Sequence, residues 1–218
     1  VWVDRQGRET PIPAPPRTDL YPRLSPDGTR VAVTATDQDR DLWLWDLART
    51  TLTRVTFESG YDGSPVWTPD GRRILFTSDR AGSRHLFWQA ADGTGAVERL
   101  TEGPNSENAT AISPDGRRLI FTEQAPKTGE DVMQVELDGT HPAGSGRVTP
   151  LVQSPFSERN GIISPDGRWL AYEANDSGRF EIYVRPFPEV NSGHWQASTT
   201  GGTRPRWAPS GQELFYVA

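Results

Sequence analysis

The chain lacks several residue types that would support particular chemistries. Its 218 residues contain no cysteine, one lysine and one methionine. Without cysteine, disulfides and thiolate chemistry are excluded, and the compartment is left undecided. No apolar run approaches the ~20 residues of a membrane-spanning helix. The net charge of -6 argues against a general nucleic-acid binder, which would present a basic field.

What the chain does contain is a four-residue turn phrase that returns five times at intervals of 43 to 51 residues. A repeat in the forties, flanked by short apolar runs, is typical of the four-stranded blades of a β-propeller. In each copy Pro fits the first central position of a tight turn and Gly allows a positive φ. The copies are SPDG at 25–28, TPDG at 68–71, SPDG at 113–116, SPDG at 164–167 and APSG at 208–211.

The residues around each phrase predict four strands, which we call a to d. Strand a ends at the phrase and strand b follows it, as in RVAVTA at 30–35. Strand c is represented by DLWLWDL at 41–47, and strand d by LTRVTF at 52–57. Leu42 to Trp45 is apolar on both faces, as expected of a strand covered on both sides by neighbouring blades.

The two ends of the chain carry complementary halves of one further repeat. Residues 1–7 resemble a c strand and residues 9–15 would form its d strand, whereas the last phrase is followed by strand b alone. We therefore predict an all-β, five-bladed propeller of four-stranded antiparallel blades, as a single domain over residues 1–218. Its last blade would close by pairing residues 213–218 with residues 1–5, which would remove exposed sheet edges and favour a monomer.

The repeated phrase and strands such as EIYVRPF resemble the TolB-type, WD-like propeller superfamily. Segments including VWVDRQGRE, LYPRLSPDGTRVAV and GRWLAYEANDSGRFEIYVRPFP are similar to the C-terminal propeller half of bacterial serine/threonine protein kinases. This resemblance covers essentially the whole chain. It implies a sensing or interaction domain, often extracytoplasmic, with phosphoryl transfer carried out by a separate kinase domain.

The residues needed for familiar catalytic machinery are not assembled in the sequence. A kinase needs a glycine-rich phosphate loop and a strand lysine, but Lys127 lies in a predicted loop. A nucleophile elbow has the form G-x-S-x-G, which the string at 143–147 lacks. The histidines at 85, 141 and 194 fall in separate repeats without metal-ligand spacing. We therefore predict a chain that is not an enzyme and binds no cofactor.

Alignment of the repeats brings out four carboxylates, each six residues before a turn phrase: Asp19, Asp62, Glu107 and Glu158, with Gly202 in the fifth copy. These positions are predicted to lie on d-to-a loops at the channel mouth, where they would give a negative potential. Four oxygen-bearing groups there would suit a hard cation or a basic peptide. The alternative is a set of solvated loop acids paired with arginines.

Two further candidate sites concern a loop and a set of arginines. The loop Asp37-Gln38-Asp39-Arg40-Asp41 resembles a calcium loop but lacks its glycine and terminal glutamate. Arg23 and Arg206 share one repeat position, with Arg204 nearby. These arginines would either bind an anion in the channel or pair with carboxylates of neighbouring blades.

Three functions are compatible with these features. The first is a non-catalytic sensing or protein-interaction module that binds a protein, peptide or small molecule at the channel mouth. The second is a truncated or designed propeller scaffold without a ligand. The third is the propeller accessory domain of a prolyl-oligopeptidase-like hydrolase, whose catalytic domain would lie elsewhere. A fold of this kind hosts many functions, so the residues of the binding site are needed to distinguish the three.

Overall fold

The protein is described by a computed structural model covering residues 1–14, 17–36, 40–137 and 147–218. Four successive repeats each form a four-stranded antiparallel blade. The strands of blade I are β3 (Asp19–Leu24), β4 (Arg30–Ala35), β5 (Leu42–Asp46) and β6 (Thr51–Arg54); those of blade II are β7 (Asp62–Trp67), β8 (Arg73–Ala81), β9 (Ser83–Ala90) and β10 (Glu98–Arg99). The strands of blade III are β11 (Glu107–Ile112), β12 (Arg118–Ala125), β13 (Gly129–Glu136) and β14 (Val148–Val152); those of blade IV are β15 (Glu158–Ile163), β16 (Trp169–Ala174), β17 (Glu181–Pro186) and β18 (Trp195–Gln196). The predicted all-β propeller with antiparallel four-stranded blades is thereby confirmed.

In blades I to IV the turn phrase closes the a-to-b connection by the same hydrogen bonds. In blade I the Ser25 hydroxyl donates to Asp27 Oδ1 at 2.6 Å, and the backbone N–H of Thr29 donates to the same oxygen at 3.0 Å. The Ser25 oxygen also accepts the N–H of Arg30 at 2.9 Å. Gly28 has a φ of 71°, a conformation that favours glycine. The Ser and Asp of the phrase therefore fix the turn that starts strand b.

Blades pack face to face, so their central strands are buried on both sides. Ile74, Leu75 and Phe76 follow one another along β8 and have no exposed surface. In β5, Leu42 and Leu44 point to one face and Trp45 to the other, and all three are buried. Full burial of such a side chain contributes roughly 1.5–3 kcal/mol, so these strands supply much of the stability. The predicted two-sided burial of strand c is confirmed.

The chain ends form two separate two-stranded sheets: β1 (Trp2–Val3) with β2 (Glu9–Thr10), and β19 (Thr203–Trp207) with β20 (Leu214–Val217). We call the second pair the fifth repeat. The predicted ladder between residues 213–218 and 1–5 is not formed among the described residues. The ends meet instead through side chains, where Nη1 and Nη2 of Arg5 donate to the carboxylate of Glu213.

Both ends retain exposed apolar surface because their sheets are only two strands wide. Trp2 is 46% exposed and Phe215 is 52% exposed. The structure therefore shows four complete blades and two half-blades. Nowhere in the described ranges is there a helix long and apolar enough to cross a membrane.

Candidate functional site: the central channel

The a strands of all five repeats line one central cavity of about 700 Å³. Each of these strands carries a β-bulge, where its register with strand b shifts. At the bulge four non-glycine residues adopt a left-handed conformation with φ between 53° and 55°: Tyr21, Ser64, Asn160 and Arg204. Such backbone is strained and persists where surrounding contacts hold it. The bulge turns this part of each strand toward the channel.

At four of the five repeat boundaries a hydrogen bond joins the bulge to the preceding blade, and it holds three of the four strained residues: Ser64, Asn160 and Arg204. The backbone N–H at the bulge donates to a buried side chain at one position of strand b, nine residues after the start of the turn phrase. The pairs are Ser64 with Thr34 Oγ1 at 3.2 Å, Ala109 with Thr77 Oγ1 at 2.9 Å, Asn160 with Thr122 Oγ1 at 3.1 Å, and Arg204 with Glu173 Oε1 at 2.6 Å. These bonds join four neighbouring pairs of repeats, whose boundaries we call the regular seams.

The boundary between the fifth repeat and blade I differs, and we call it the end seam. The residue equivalent to Thr34 in the fifth repeat is Val217, which has no hydroxyl to accept the N–H of Tyr21. Val217 is 59% exposed, and Tyr21 is 43% exposed. The end seam therefore lacks both the hydrogen bond and the tight packing of the regular seams.

The described lining of the channel carries more positive than negative charge. Six arginines stand against two glutamates: Arg23, Arg40, Arg84, Arg159, Arg204 and Arg206, with Glu130 and Glu173. Both glutamates are held by Arg159, whose Nε donates to Glu173 at 2.7 Å and whose Nη1 donates to Glu130 at 3.1 Å. A concave site lined by one sign of charge concentrates ions of the opposite sign. The channel is therefore suited to an anionic ligand. Its positive lining is opposite in sign to the negative potential that the sequence predicted at the channel mouth.

Arg23 and Arg206 occupy the same repeat position on either side of the end seam. Burial, and then the positive charge of Arg206, lower the pKa of Arg23 to about 9. Burial also lowers the pKa of Arg206, while the charge of Glu173 acts in the opposite direction. Arg206 is an exposed residue, so the channel walls surround its side chain without removing it from solvent. The two like charges disfavour each other's ionised form.

The four aligned carboxylates do not line the channel. Asp62, Glu107 and Glu158 are buried at the start of their a strands, whereas Asp19 is exposed and lies 3.6 Å from Arg17 Nε. The prediction of hydrated acids around the mouth is therefore wrong for three of the four. Successive strand residues point to opposite sides, and it is the next residue in the strand that lines the cavity in four repeats: Leu20, Asn108, Arg159 and Thr203.

The buried acids instead join the d-to-a connection to the rest of its blade. Asp62 accepts a hydrogen bond from Arg80 Nη2 at 2.8 Å. Glu107 accepts one from the Thr101 hydroxyl, and Glu158 accepts one from the Ser154 hydroxyl. Burial raises the pKa of Glu107 to about 7 and also raises the pKa of Glu158. These acids stabilise the loops at which the chain passes between blades.

Gly202 takes the place of an acid in the fifth copy because no side chain fits there. A Cβ on Gly202 would lie 2.5 Å from Ser198 Oγ and 2.8 Å from Ile182 Cγ1. The carboxylate at this connection comes from Glu181, which accepts hydrogen bonds from the Ser198 hydroxyl and, at 2.9 Å, from the Gly201 N–H. This connection therefore also contains a buried carboxylate, but a residue of β17 supplies it.

The remaining candidate ligands are dispersed. Residues 37–39 of the proposed calcium loop and His141 lie outside the described residues, and Asp41 is buried against Arg54 and Thr56. Buried His85 lies with Nδ1 3.4 Å from Glu107 Oε2, and burial lowers its pKa. His194 stacks on Tyr183, with ring centroids 4.8 Å apart. Within the described ranges no three His, Asp or Glu residues are grouped so that they could hold a metal ion.

Sequence reasoning placed Arg23, Arg204 and Arg206 among the candidates, and the structure brings all three to the channel. It missed Arg40, Arg84 and Arg159. Arg40, Arg84 and Glu130 share one repeat position, at or just before the start of strand c, so a comparison of charges at that position would have found two of them. Arg84 lies over the ring of Tyr61 at 4.3 Å, which orients its guanidinium in the channel wall.

Comparison with known proteins assigns a family to this architecture. The family model described as the TolB beta propeller domain matches residues 6–143. The chain is 26% identical over 191 residues to the "Uncharacterized peptidase YuxL" of Bacillus subtilis, covering 71% of this chain and 29% of that protein. It is 34% identical over 91 residues to the Tol-Pal system protein TolB of Wolinella succinogenes, covering 41% of this chain and 22% of that protein. The chain thus spans less than a third of the length of either relative.

A solved structure supports the same fold. The crystal structure of TolB from Acinetobacter baumannii superimposes with a TM-score of 0.74 at 22% identity, covering 91% of this chain and 48% of that chain. Similarity at this level of identity concerns the fold alone. The closer resemblance to the propeller half of bacterial serine/threonine kinases stays a prediction.

Proposed function

The chain belongs to the TolB beta propeller domain family, and from this premise we propose that it is a non-catalytic protein-interaction module that takes an acidic segment of a partner protein into its central channel. The observation that carries this proposal is the charge of the channel lining, with six arginines against two glutamates. The molecule as a whole has a net charge of -6, so positive charge is concentrated where the a strands converge. A localised field of this kind steers an acidic ligand to the channel.

The channel also provides contacts suited to a peptide. Its volume of about 700 Å³ accommodates several extended residues, and polar side chains such as Asn108 and Thr203 stand between the arginines. Guanidinium groups bind carboxylates through paired hydrogen bonds, which gives orientation as well as attraction. A sensing role in a larger protein would use the same contacts, with binding reported to a domain outside this chain.

The test is calorimetric titration with a glutamate-rich peptide of about ten residues and a glutamine analogue of the same length. We expect binding of the acidic peptide only, with an affinity that falls as salt rises, because exposed charges are screened. Arg84→Ala should weaken binding, whereas Arg117→Ala, on an exposed turn away from the channel, should leave it unchanged. Equal binding of both peptides, or no binding of either, would favour the reading of the chain as a scaffold without a ligand.

Absence of catalysis is part of the proposal. Three of the four aligned acids, Asp62, Glu107 and Glu158, accept structural hydrogen bonds, and the two channel glutamates are paired with Arg159. We therefore expect no turnover of peptide, ester, glycoside or phosphoryl-transfer substrates by the isolated chain. Turnover that is lost in Glu173→Gln would overturn this part of the proposal.

A second candidate function is that of an accessory propeller for a hydrolase. The similarity to the peptidase of Bacillus subtilis over 71% of this chain favours it. In that case the channel would admit peptides to a catalytic domain outside this chain. Peptide binding with no preference for acidic residues would favour this function over the first.

We also infer that the two half-blades complete a fifth blade in the order β19, β20, β1, β2. In blade I the N–H groups of Ala48 and Arg49, two and three residues after Asp46, donate to its carboxylate. In the N-terminal hairpin those of Gln6 and Arg8, two and four residues after Asp4, donate to its carboxylate in a similar turn. Because Arg30 pairs with Asp46 in blade I, Glu213 is expected opposite Asp4. The contact of Glu213 with Arg5 is consistent with that register.

A further inference from the structure

The position two residues before each turn phrase differs between the regular seams and the end seam. It is apolar in blades II to IV, where it is occupied by Val66, Ala111 and Ile162. In blade I and the fifth repeat it is occupied by Arg23 and Arg206. Both arginines belong to the channel lining, and the positive charge of Arg206 contributes to lowering the pKa of Arg23. The end seam is therefore flanked by a pair of like charges.

Neither guanidinium is paired with a carboxylate of the described residues. Arg23 Nη1 donates to the carbonyl oxygen of Pro22 at 3.1 Å, and Arg206 Nη1 donates to that of Pro205 at 2.8 Å. An arginine has five N–H donors, so each retains donors that can reach a ligand in the channel. Enclosure in the channel and the positive charge of Arg206 both disfavour the charged form of Arg23. An anion that contacts both arginines would relieve both costs.

The acid nearest to this pair is not free to fill that role. Glu173 influences Arg206, but both of its oxygens already accept hydrogen bonds. Arg159 Nε donates to Oε2, while Asn160 Nδ2 and the Arg204 N–H donate to Oε1 at 2.7 Å and 2.6 Å. Glu173 thus belongs to the regular seam between blade IV and the fifth repeat. The described residues supply no other acid to the channel on that side.

From this arrangement we propose that an oxyanion binds between Arg23 and Arg206 and holds the fifth repeat against blade I. The site would take the place of the hydrogen bond that the end seam lacks at Val217. We identify the oxyanion as one carboxylate of the acidic segment. This identification rests on the function proposed above. Ligand binding is thereby coupled to closure of the ring, since only a closed end seam brings both arginines onto one anion.

Inorganic phosphate is the probe for the test, titrated against chloride at equal ionic strength. We expect calorimetric binding that is weakened about tenfold or more by Arg23→Gln and by Arg206→Gln, since each removes charge-assisted hydrogen bonds. The double variant should lose little more than either single variant, because the two arginines act on one ion. Arg117→Gln is the matched control and should bind as the unaltered chain does.

Closure is measured separately with spin labels. The chain contains no cysteine, so Leu24→Cys and Phe215→Cys can be labelled together without background; both positions are about half exposed and lie beside the two arginines on opposite sides of the end seam. Phosphate should shorten and narrow the distance between the labels, and Arg23→Gln in the labelled chain should abolish that change. Correct folding of each variant is checked by its melting temperature, which we expect to rise without phosphate because the like-charge repulsion is gone.

Each result is decisive for one of the two proposals. Absence of phosphate binding, or binding retained in both arginine variants, would overturn the oxyanion site. Binding without a change in label distance would overturn its coupling to closure. Peptide binding that persists in the two arginine variants would leave the protein-interaction function standing without this site. Phosphate-driven closure with no peptide binding would leave the oxyanion site standing and overturn the protein-interaction function.

Discussion

The regular seams and the end seam solve the same packing problem with different residues. At each regular seam a buried side chain of strand b accepts the bulge N–H of the next repeat, as Thr77 does from Ala109. At the end seam Val217 offers no side-chain acceptor, and Arg23 and Arg206 replace apolar residues. The comparison shows that one strand-b position supplies a hydrogen bond between neighbouring repeats at the regular seams, and that the end seam lacks this bond. The proposed oxyanion would join the repeats at the end seam instead.

The largest effect is expected at the regular seam that contains Glu173. Glu173→Leu would leave Arg159, Asn160 and the Arg204 N–H without their shared acceptor. Arg159 would keep Glu130 as a partner, but the Asn160 amide and the Arg204 N–H would each lose an acceptor at a cost of about 1–3 kcal/mol. The free energy of unfolding in urea should therefore fall by about 2–6 kcal/mol. Glu173→Gln retains one acceptor oxygen and should cost less. Equal, small losses in both variants would show that this network does not stabilise the seam.

The next effect concerns the pH dependence of the connection between blades II and III. The pKa of Glu107 is raised to about 7 from its usual 4.5, so the folded protein binds this proton more tightly than the unfolded chain does. The resulting stabilisation is fully present below about pH 4.5 and is lost as the pH rises through 7. The shift corresponds to roughly 3 kcal/mol between these limits.

This effect is measured as a difference between proteins, so that contributions of other groups cancel. The free energy of unfolding of the unaltered chain, relative to Glu107→Gln, should decline between pH 4.5 and 7. Glu58→Gln, at an exposed acid, serves as the control and should follow the unaltered chain across the range. A constant difference between the unaltered chain and Glu107→Gln would contradict the raised pKa.

A smaller loss is expected when one seam hydrogen bond is removed. Thr77→Val preserves shape but leaves the buried N–H of Ala109 without its acceptor, at a cost of about 1–3 kcal/mol. Thr77→Ser keeps the hydroxyl and separates loss of the bond from loss of the methyl group. The matched site in the fifth repeat is Val217, where Val217→Ala should cost under about 0.5 kcal/mol because the side chain is exposed. A similar loss at both positions would remove the distinction between the two kinds of seam.

The repeat phrase and the two-sided burial of strand c could be predicted because both are local patterns of fixed spacing. The directions in which the side chains of the aligned acids point could not be predicted. The repeat alignment assigns Asp62, Glu107 and Glu158 to loops and so predicts them at the channel mouth. Each is instead the first residue of a strand, and its side chain points away from the channel. The bulge that follows changes which side chains of that strand face the channel. Arg23 and Arg206 could be predicted because they lie beyond the bulge, beside the turn phrase. Closure depends on contacts between the chain ends, which no local pattern determines.

The smallest effect tests the inferred fifth blade through Arg5 and Glu213. Their side chains are 73% and 41% exposed, and an exposed ion pair contributes about 0.2–1 kcal/mol. Arg5→Ala, Glu213→Ala and the double variant form a cycle that isolates this coupling from the other roles of each side chain. If the half-blades are joined only by side chains, as in the structure, the coupling should lie in that range and fall with added salt. If β20 and β1 form a backbone ladder in solution, the pair would be held in place by the sheet. Exchange would then be slow at the amides of Leu214 and Tyr216, which face away from β19. Rapid exchange at both amides together with a weak, salt-sensitive coupling would contradict the fifth blade and leave the end seam dependent on its anion.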